Sequence, residues 1–214
     1  MKQALIIQGG WSGHYPREFA QLARDLLAAN GFAVDVRDSL TPLDDAESLA
    51  RNDLIVPIWT MGELSDLQER NLLAAVEAGS GLAGWHGGMG DAFRPNLMYK
   101  MMVGGQFVAH PGNFRRYEVR FTDKADPITE GLAPFEITSE QYYMHVDPSL
   151  EVLAETTFSG DDLPWLDGVV MPVAWKRRWG LGRVFYLALG HQVSEFEIPE
   201  VRALATRGLA WASR

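Results

Sequence analysis

The chain has 214 residues, no cysteine and a formal net charge of −9 at pH 7. Its length suits one α/β domain with a large core, and 47% hydrophobic with 22% charged residues is an ordinary globular composition. The acidic balance argues against nucleic acid as a partner, the lack of cysteine excludes disulfides and thiolate chemistry, and no apolar segment is long enough to span a membrane. Because the first residues carry no cleavage signal, we expect a cytoplasmic protein.

The first half of the chain alternates strands and helices. Pro16 opens a helix that ends at Asn30 and Gly31, and Ser65 opens a second one, with Glu69 as an imperfect capping-box partner. The second helix ends at Gly79 and is predicted to pack one apolar face: Leu67, Leu72, Leu73 and Val76. Strands are predicted at residues 4–8, 32–37, 54–59 and 82–85, with Pro57 expected to bulge or shorten the third.

The second half is richer in strands. They are predicted at residues 117–121, 136–144, 151–154, 169–175 and 183–189, and a closing helix at 199–211. The turn at residues 180–182 makes the last two strands a β-hairpin, whose second strand can rejoin the main sheet. The whole pattern predicts one domain, residues 1–214, of class α/β: a three-layer, doubly wound, mostly parallel sheet of the flavodoxin-like kind with an added β-hairpin.

The segment GSGLAGWHGG, residues 79–88, places His86 in a turn of small residues directly after a strand. Such a strand-to-helix elbow turns so sharply that the central residue takes a strained backbone conformation. We therefore predict a positive φ at His86. The residue displayed by an elbow is usually a nucleophile, whereas here it is an imidazole.

Three histidines follow predicted strands. His14 follows the first, His86 the fourth and His191 the last long one, and the carboxyl ends of parallel strands form one crevice. We therefore predict that the three imidazoles converge. Trp11 and Trp59 end strands at the same edge and offer flat surfaces that suit a neutral sugar ring. The glycine-rich segment 9–13 matches no dinucleotide or phosphate-loop pattern, so no nucleotide cofactor is predicted.

Several short motifs occur along the chain in a specific order and at specific spacings. They are GLAGWHGG at 81–88, Tyr99 with VGGQF at 103–107, His110-Pro111, Glu140-x-Tyr142, PVAW at 172–175, and GLGRVFY at 180–186 followed by Gly190-His191. Together they resemble the trehalose-utilisation (ThuA-like) family, which has the class I glutamine amidotransferase-like fold. The resemblance implies that His86 stands where amidotransferases carry their cysteine and that His191 matches their catalytic histidine. It also implies a role in disaccharide or keto-sugar metabolism.

We favour an enzyme that acts on a sugar or 3-keto sugar by acid–base chemistry, through isomerisation, elimination or hydrolysis. His86 and His191 are the predicted proton-handling pair. The predicted substrate contacts are His14, Trp11, Trp59, His110, Glu140 and Tyr143.

Two alternatives stay open. The chain can be a sugar-binding accessory protein without catalysis, or the histidines can bind a divalent metal. No cofactor is predicted, since no H-x-x-x-H or H-E-x-x-H spacing supports a metal. Amidotransfer is excluded because the chain has no thiol nucleophile. A homo-oligomer is left open.

Overall fold

The computed structural model describes residues 1–214, which form eleven strands and six helices joined by loops and short 3-10 turns. In chain order the elements are β1 (Lys2–Gly10), α1 (Pro16–Ala29), β2 (Phe32–Arg37), α2 (Ala46–Ala50), β3 (Leu54–Thr60), α3 (Asp66–Glu77), β4 (Gly81–Trp85), α4 (His86–Gly90), α5 (Leu97–Val103), β5 (Gly105–Ala109), β6 (Phe114–Phe121), β7 (Phe135–Glu140), β8 (Tyr143–Val146), β9 (Glu151–Thr157), β10 (Val170–Trp179), β11 (Gly182–Leu187) and α6 (Pro199–Ala212). None of the helices combines the length and apolar character needed to cross a bilayer.

Nine strands form one sheet in the order β2-β1-β3-β4-β11-β10-β9-β6-β7. The first five strands in that order are parallel to one another. The remaining four extend the sheet from β11 by antiparallel pairs. Strands β10 and β11 are the predicted hairpin, and β11 pairs with β4 in parallel from Val184↔Leu82 to Leu187↔Trp85. The predicted return of the hairpin to the main sheet is therefore confirmed.

The helices cover both faces of the sheet. Helices α1 and α6 contact each other and share one face. On the opposite face, α3 contacts both α2 and α5. Central parallel strands buried on both faces need continuous apolar runs, and Leu54–Thr60 and Gly81–Trp85 provide them. This is the predicted three-layer, doubly wound α/β architecture.

Three local predictions in the first half need correction or refinement. The capping box of α3 is complete, because Ser65 pairs with Gln68 in both directions and Glu69 is not the partner. Leu67 is exposed and does not belong to the buried face of that helix. Strand β3 continues through Pro57, which pairs with Ile7 of β1. Its pairing with β4 ends earlier, at Ile55. The N–H that Pro57 lacks therefore removes no hydrogen bond between β3 and β4.

In the second half, the strand predicted over 136–144 is wrong as one element. It breaks at Gln141 and Tyr142, because the chain leaves β6 and pairs β8 with β5 in a separate two-stranded sheet. No strand was predicted in the segment that forms β5. Strand β11 ends at Leu187, two residues earlier than predicted. Each boundary depends on which partner strand is available, and that information is not local.

Candidate active site

The elbow at His86 has the predicted conformation. Strand β4 ends at Trp85, helix α4 begins at His86, and the φ of His86 is +46°. The Tyr186 hydroxyl donates a hydrogen bond to the His86 carbonyl oxygen (3.1 Å) and holds the turn from the neighbouring strand. At Gly87 a Cβ atom would lie 2.4 Å from Nδ1 of His14, so a side chain there would displace the second histidine.

The three predicted histidines converge at the carboxyl edge of the parallel strands, and Glu140 joins them. Ring centroids of His14 and His86 are 4.8 Å apart, those of His14 and His191 5.1 Å, and those of His86 and His191 5.2 Å. One N or O atom from each of the four residues lies within 4.8 Å of the others. All four side chains are buried. The predicted shared crevice is therefore confirmed in its geometry.

Hydrogen bonds outside the cluster orient two of the rings. Nδ1 of His86 lies 2.8 Å from the carbonyl oxygen of Ala188, which can only accept, so Nδ1 carries the proton and Nε2 presents a lone pair to the cluster. Nδ1 of His14 lies 2.8 Å from the Thr60 hydroxyl, which leaves Nε2 as its free nitrogen. The Tyr142 hydroxyl donates to Nε2 of His86 (2.8 Å).

Three atoms form a nearly equilateral triangle at the centre of the cluster. Nε2 of His86 lies 3.2 Å from Oε2 of Glu140 and 3.3 Å from Nδ1 of His191. Nδ1 of His191 in turn lies 3.1 Å from the same Oε2. Because a carboxylate oxygen and an unprotonated imidazole nitrogen are both acceptors, this triangle needs a proton or a cation at its centre.

The electrostatics of the cluster follow from burial and from the close contacts. Burial, together with the neighbouring His86 and His191, lowers the pKa of His14 to about 3. Burial alone would raise the pKa of Glu140, but its close contacts with His191 and His86 outweigh burial and hold that pKa well below its usual range. Burial raises the pKa of Tyr142, so this hydroxyl stays protonated. The ion-pair partners of Glu140 are imidazoles alone.

Glu195 holds the loop that carries His191 but does not contact its ring. Its Oε2 accepts hydrogen bonds from the backbone N–H groups of Gly190 (2.8 Å) and His191 (3.3 Å). Its Oε1 accepts from Gln192 N–H (3.2 Å) and from the Ser139 hydroxyl (2.7 Å). The three residues between His191 and Glu195 thus close a tight loop around the carboxylate. This role of Glu195 was not predicted from the sequence.

Two exposed aromatic side chains, Trp11 and Phe114, contact the histidine cluster. Trp11 is 48% exposed and meets His14 edge to face at 4.8 Å, and Phe114 is 44% exposed and meets His191 in the same way at 4.9 Å. Nε2 of His110 lies 3.6 Å from Oε1 of Glu140, so His110 also lies at this edge. Phe114 was not predicted, because β6 was expected to begin only after it.

Two of the predicted substrate contacts lie elsewhere. Trp59 packs against Phe93 at 6.5 Å and makes no aromatic contact with the histidines. The ring of Tyr143 packs against Phe158, and the preceding Tyr142 instead stacks on His86 at 4.1 Å. Residues two apart share a face of an extended chain, so the residue expected beside Glu140 is Tyr142 and not Tyr143. The motif Glu140-x-Tyr142 was the available signal.

Little space lies behind the cluster. A cavity of about 10 Å³ between His14, His86 and the side of α1 is lined by Phe19 and Ile58, and this volume holds about one water molecule. Trp11 and Phe114 contact the imidazoles and are also exposed at the protein surface. The arrangement is suited to moving protons or binding a cation in a buried cluster that lies next to exposed aromatic side chains.

Comparisons with known structures agree with this architecture. A ThuA-like protein from Bacteroides uniformis has a TM-score of 0.81 and 19% identity, with 99% of this chain and 91% of that chain covered. A ThuA-like protein from Parabacteroides merdae has a TM-score of 0.79 and 18% identity, with 99% and 89% covered. A cytoplasmic protein from Salmonella typhimurium has a TM-score of 0.70 and 13% identity over 100% of both chains. At these identities the likeness shows the fold.

The family comparison is the more specific of the two. No curated protein matches the sequence. The model of the ThuA family, described as trehalose utilisation, matches residues 3–212. That range contains every residue of the histidine cluster and both strands of the hairpin. The chain therefore belongs to the ThuA (trehalose utilisation) family.

Proposed function

We propose that this protein is an enzyme of carbohydrate metabolism that acts on a sugar or a 3-keto sugar by proton transfer at the His14–His86–Glu140–His191 cluster. The observation that carries the proposal is the convergence of three imidazoles and one carboxylate at a single open edge of the sheet. Imidazoles exchange protons near neutral pH, and positioned acids and bases accelerate such reactions by about 10²–10⁴-fold.

The sugar part of the proposal is supported by the family and by the mouth of the site. The family is described as one of trehalose utilisation. Trp11 and Phe114 present exposed aromatic surface on either side of the histidines, and such surfaces suit the apolar faces of a sugar ring. The nearby side chains that donate or accept hydrogen bonds, His110 and Glu140, suit its hydroxyl groups.

A 3-keto sugar is the substrate class that best uses proton transfer. The C–H bonds next to its carbonyl are acidic, so a base that removes one of these protons starts isomerisation or elimination of the glycosidic oxygen. The proton returns to carbon in isomerisation or to the leaving oxygen in elimination. Sequence reasoning assigned these transfers to His86 and His191, whose facing nitrogens are 3.3 Å apart.

The test is turnover of a panel of disaccharides, trehalose among them, and their 3-keto forms, followed by NMR. His86→Asn is the preferred first variant, because asparagine tolerates a positive φ. We expect it and His191→Gln to lose at least about 100-fold in kcat/KM. His145→Gln, at an exposed histidine outside the cluster, is the matched control. Turnover that is unchanged in both cluster variants would contradict the proposal.

The alternative is a sugar-binding accessory protein, which the exposed aromatic surfaces would equally serve. Titration calorimetry with the same panel separates the two functions. A binder gives heat of binding with no product, and Trp11→Ala then weakens binding while His86→Asn changes it little. Product formation decides for the enzyme.

A further inference from the structure

We propose that His14, His86, Glu140 and His191 form a binding site for one divalent transition-metal ion of the zinc type. The inference deepens the proposed function and depends on it only for the site of the reaction, since metal binding is measured without substrate. It replaces the metal-free His86–His191 pair that the sequence favoured.

The first argument is the spacing of the donor atoms. Zinc binds imidazole nitrogen and carboxylate oxygen at about 2.0–2.2 Å, and two tetrahedral ligands at such distances lie about 3.3–3.6 Å apart. The separations between Nε2 of His86, Oε2 of Glu140 and Nδ1 of His191 are 3.1, 3.2 and 3.3 Å. These separations lie at the lower end of that spacing or up to about 0.2 Å below it, so the three atoms are arranged close to one face of a tetrahedral site. His14 supplies the fourth ligand within the same 4.8 Å cluster.

The second argument is the outer contacts of the ligands. A metal-bound histidine usually donates its other ring N–H to a carbonyl, a carboxylate or water, which fixes the ring and the tautomer. His86 makes this contact with the Ala188 carbonyl and His14 meets the Thr60 hydroxyl, both at 2.8 Å. Nε2 of both rings is thereby left for an ion.

The third argument is charge. Glu140 is buried, and its only ion-pair partners are three imidazoles, without a lysine or arginine. A buried carboxylate is costly unless it is paired or coordinates a metal. A dication bound by three neutral imidazoles and this carboxylate satisfies it without protonating any of the histidines.

The donor set also selects the ion. Three nitrogens and one oxygen suit zinc and neighbouring transition metals, whereas magnesium prefers oxygen ligands in octahedral geometry. With four protein ligands, an ion of this type would polarise the carbonyl oxygen of a 3-keto sugar as a Lewis acid by accepting that oxygen as a fifth ligand. One existing contact opposes the ion: the Tyr142 hydroxyl donates to Nε2 of His86 and must turn away.

The experiment is equilibrium dialysis and titration calorimetry of the chelator-treated full chain with Zn²⁺, Co²⁺ and Mg²⁺. We expect one Zn²⁺ or Co²⁺ per chain, tetrahedral visible absorption bands with Co²⁺, and no binding of Mg²⁺. His191→Ala should weaken Zn²⁺ binding by more than about 100-fold, beyond the range typical of outer contacts.

A second variant keeps the proposal falsifiable if His191→Ala does not fold. Thr60→Val keeps the shape of a buried side chain and removes only the hydroxyl beside His14, so affinity should fall by about 10–100-fold. His145→Ala is the control and should bind like the wild type.

Absence of Zn²⁺ and Co²⁺ binding in the wild type would overturn the metal site, as would binding that survives in His191→Ala and Thr60→Val. Turnover of a sugar by a wild-type protein that binds neither Zn²⁺ nor Co²⁺ supports the proposed function and overturns this inference. Specific metal binding without turnover of any sugar supports the metal site and overturns the proposed enzymatic function.

Discussion

Replacing Glu195 by glutamine tests the role of this carboxylate in holding the His191 loop. Four hydrogen bonds end on it, from three backbone N–H groups and the Ser139 hydroxyl. An amide keeps the shape but offers one accepting oxygen instead of two and carries no charge. If its nitrogen takes the place of Oε1, the Ser139 hydroxyl can rotate to accept, and only the bond from Gln192 is lost outright.

The expected loss follows from these contacts. A hydrogen bond to a charged group contributes about 1.5–3 kcal/mol, against about 0.5–1.5 kcal/mol for a neutral one. One lost bond and weaker remaining bonds give about 2–4 kcal/mol for Glu195→Gln. At about 2–4 °C per kcal/mol for a chain of this size, the melting temperature should fall by about 4–16 °C.

The assay is urea denaturation monitored by tryptophan fluorescence, with Glu197→Gln as the matched control in the same 3-10 turn, where Glu197 is exposed. The Glu195 variant should show a lower midpoint with an unchanged m value, and the Glu197 variant should stay within about 0.5 kcal/mol of the wild type. Equal midpoints for the two variants would refute the assigned role of Glu195.

Three further changes have expected outcomes. Gly87→Ala places a Cβ 2.4 Å from the ring of His14, so we expect about 1–3 kcal/mol of destabilisation by urea denaturation; unchanged stability would contradict the packing. Trp11→Ala should leave the melting temperature nearly unchanged and raise KM for a sugar substrate up to about tenfold; an unchanged KM would exclude stacking. Burial alone would lower the pKa of Lys176, but Asp126 and Glu151 raise it above its ordinary 10.5. The Lys176–Asp126 pair therefore stabilises the fold below pH 10.5 and loses this effect as pH rises through the raised pKa. In Asp126→Asn the free energy of unfolding should therefore fall less with rising alkaline pH than in the wild type; an equal fall in both proteins would contradict this.

The sequence alone determined the α/β architecture and the position of the elbow. The apolar runs at 54–59 and 82–85 are long enough to identify buried parallel strands, and the small residues around His86 predict the backbone turn whatever its side chain. Both signals are local, because side-chain periodicity and the steric limits on φ act within a few residues. The same reasoning brought His14, His86 and His191 together, since parallel strands share one carboxyl edge.

Only the tertiary structure decided which other side chains complete the site. Glu140 and Tyr143 were both predicted as substrate contacts, whereas Tyr142 is the tyrosine that stacks on His86. Which tyrosine faces the elbow is set by the path of the chain from β7 to β8. Thr60, Ala188 and Glu195 position the histidines through contacts between segments 46 or more residues apart, or through a loop closed on its own backbone. Strand pairing and loop closure depend on contacts between residues that are far apart in the chain, so no local sequence pattern specifies them.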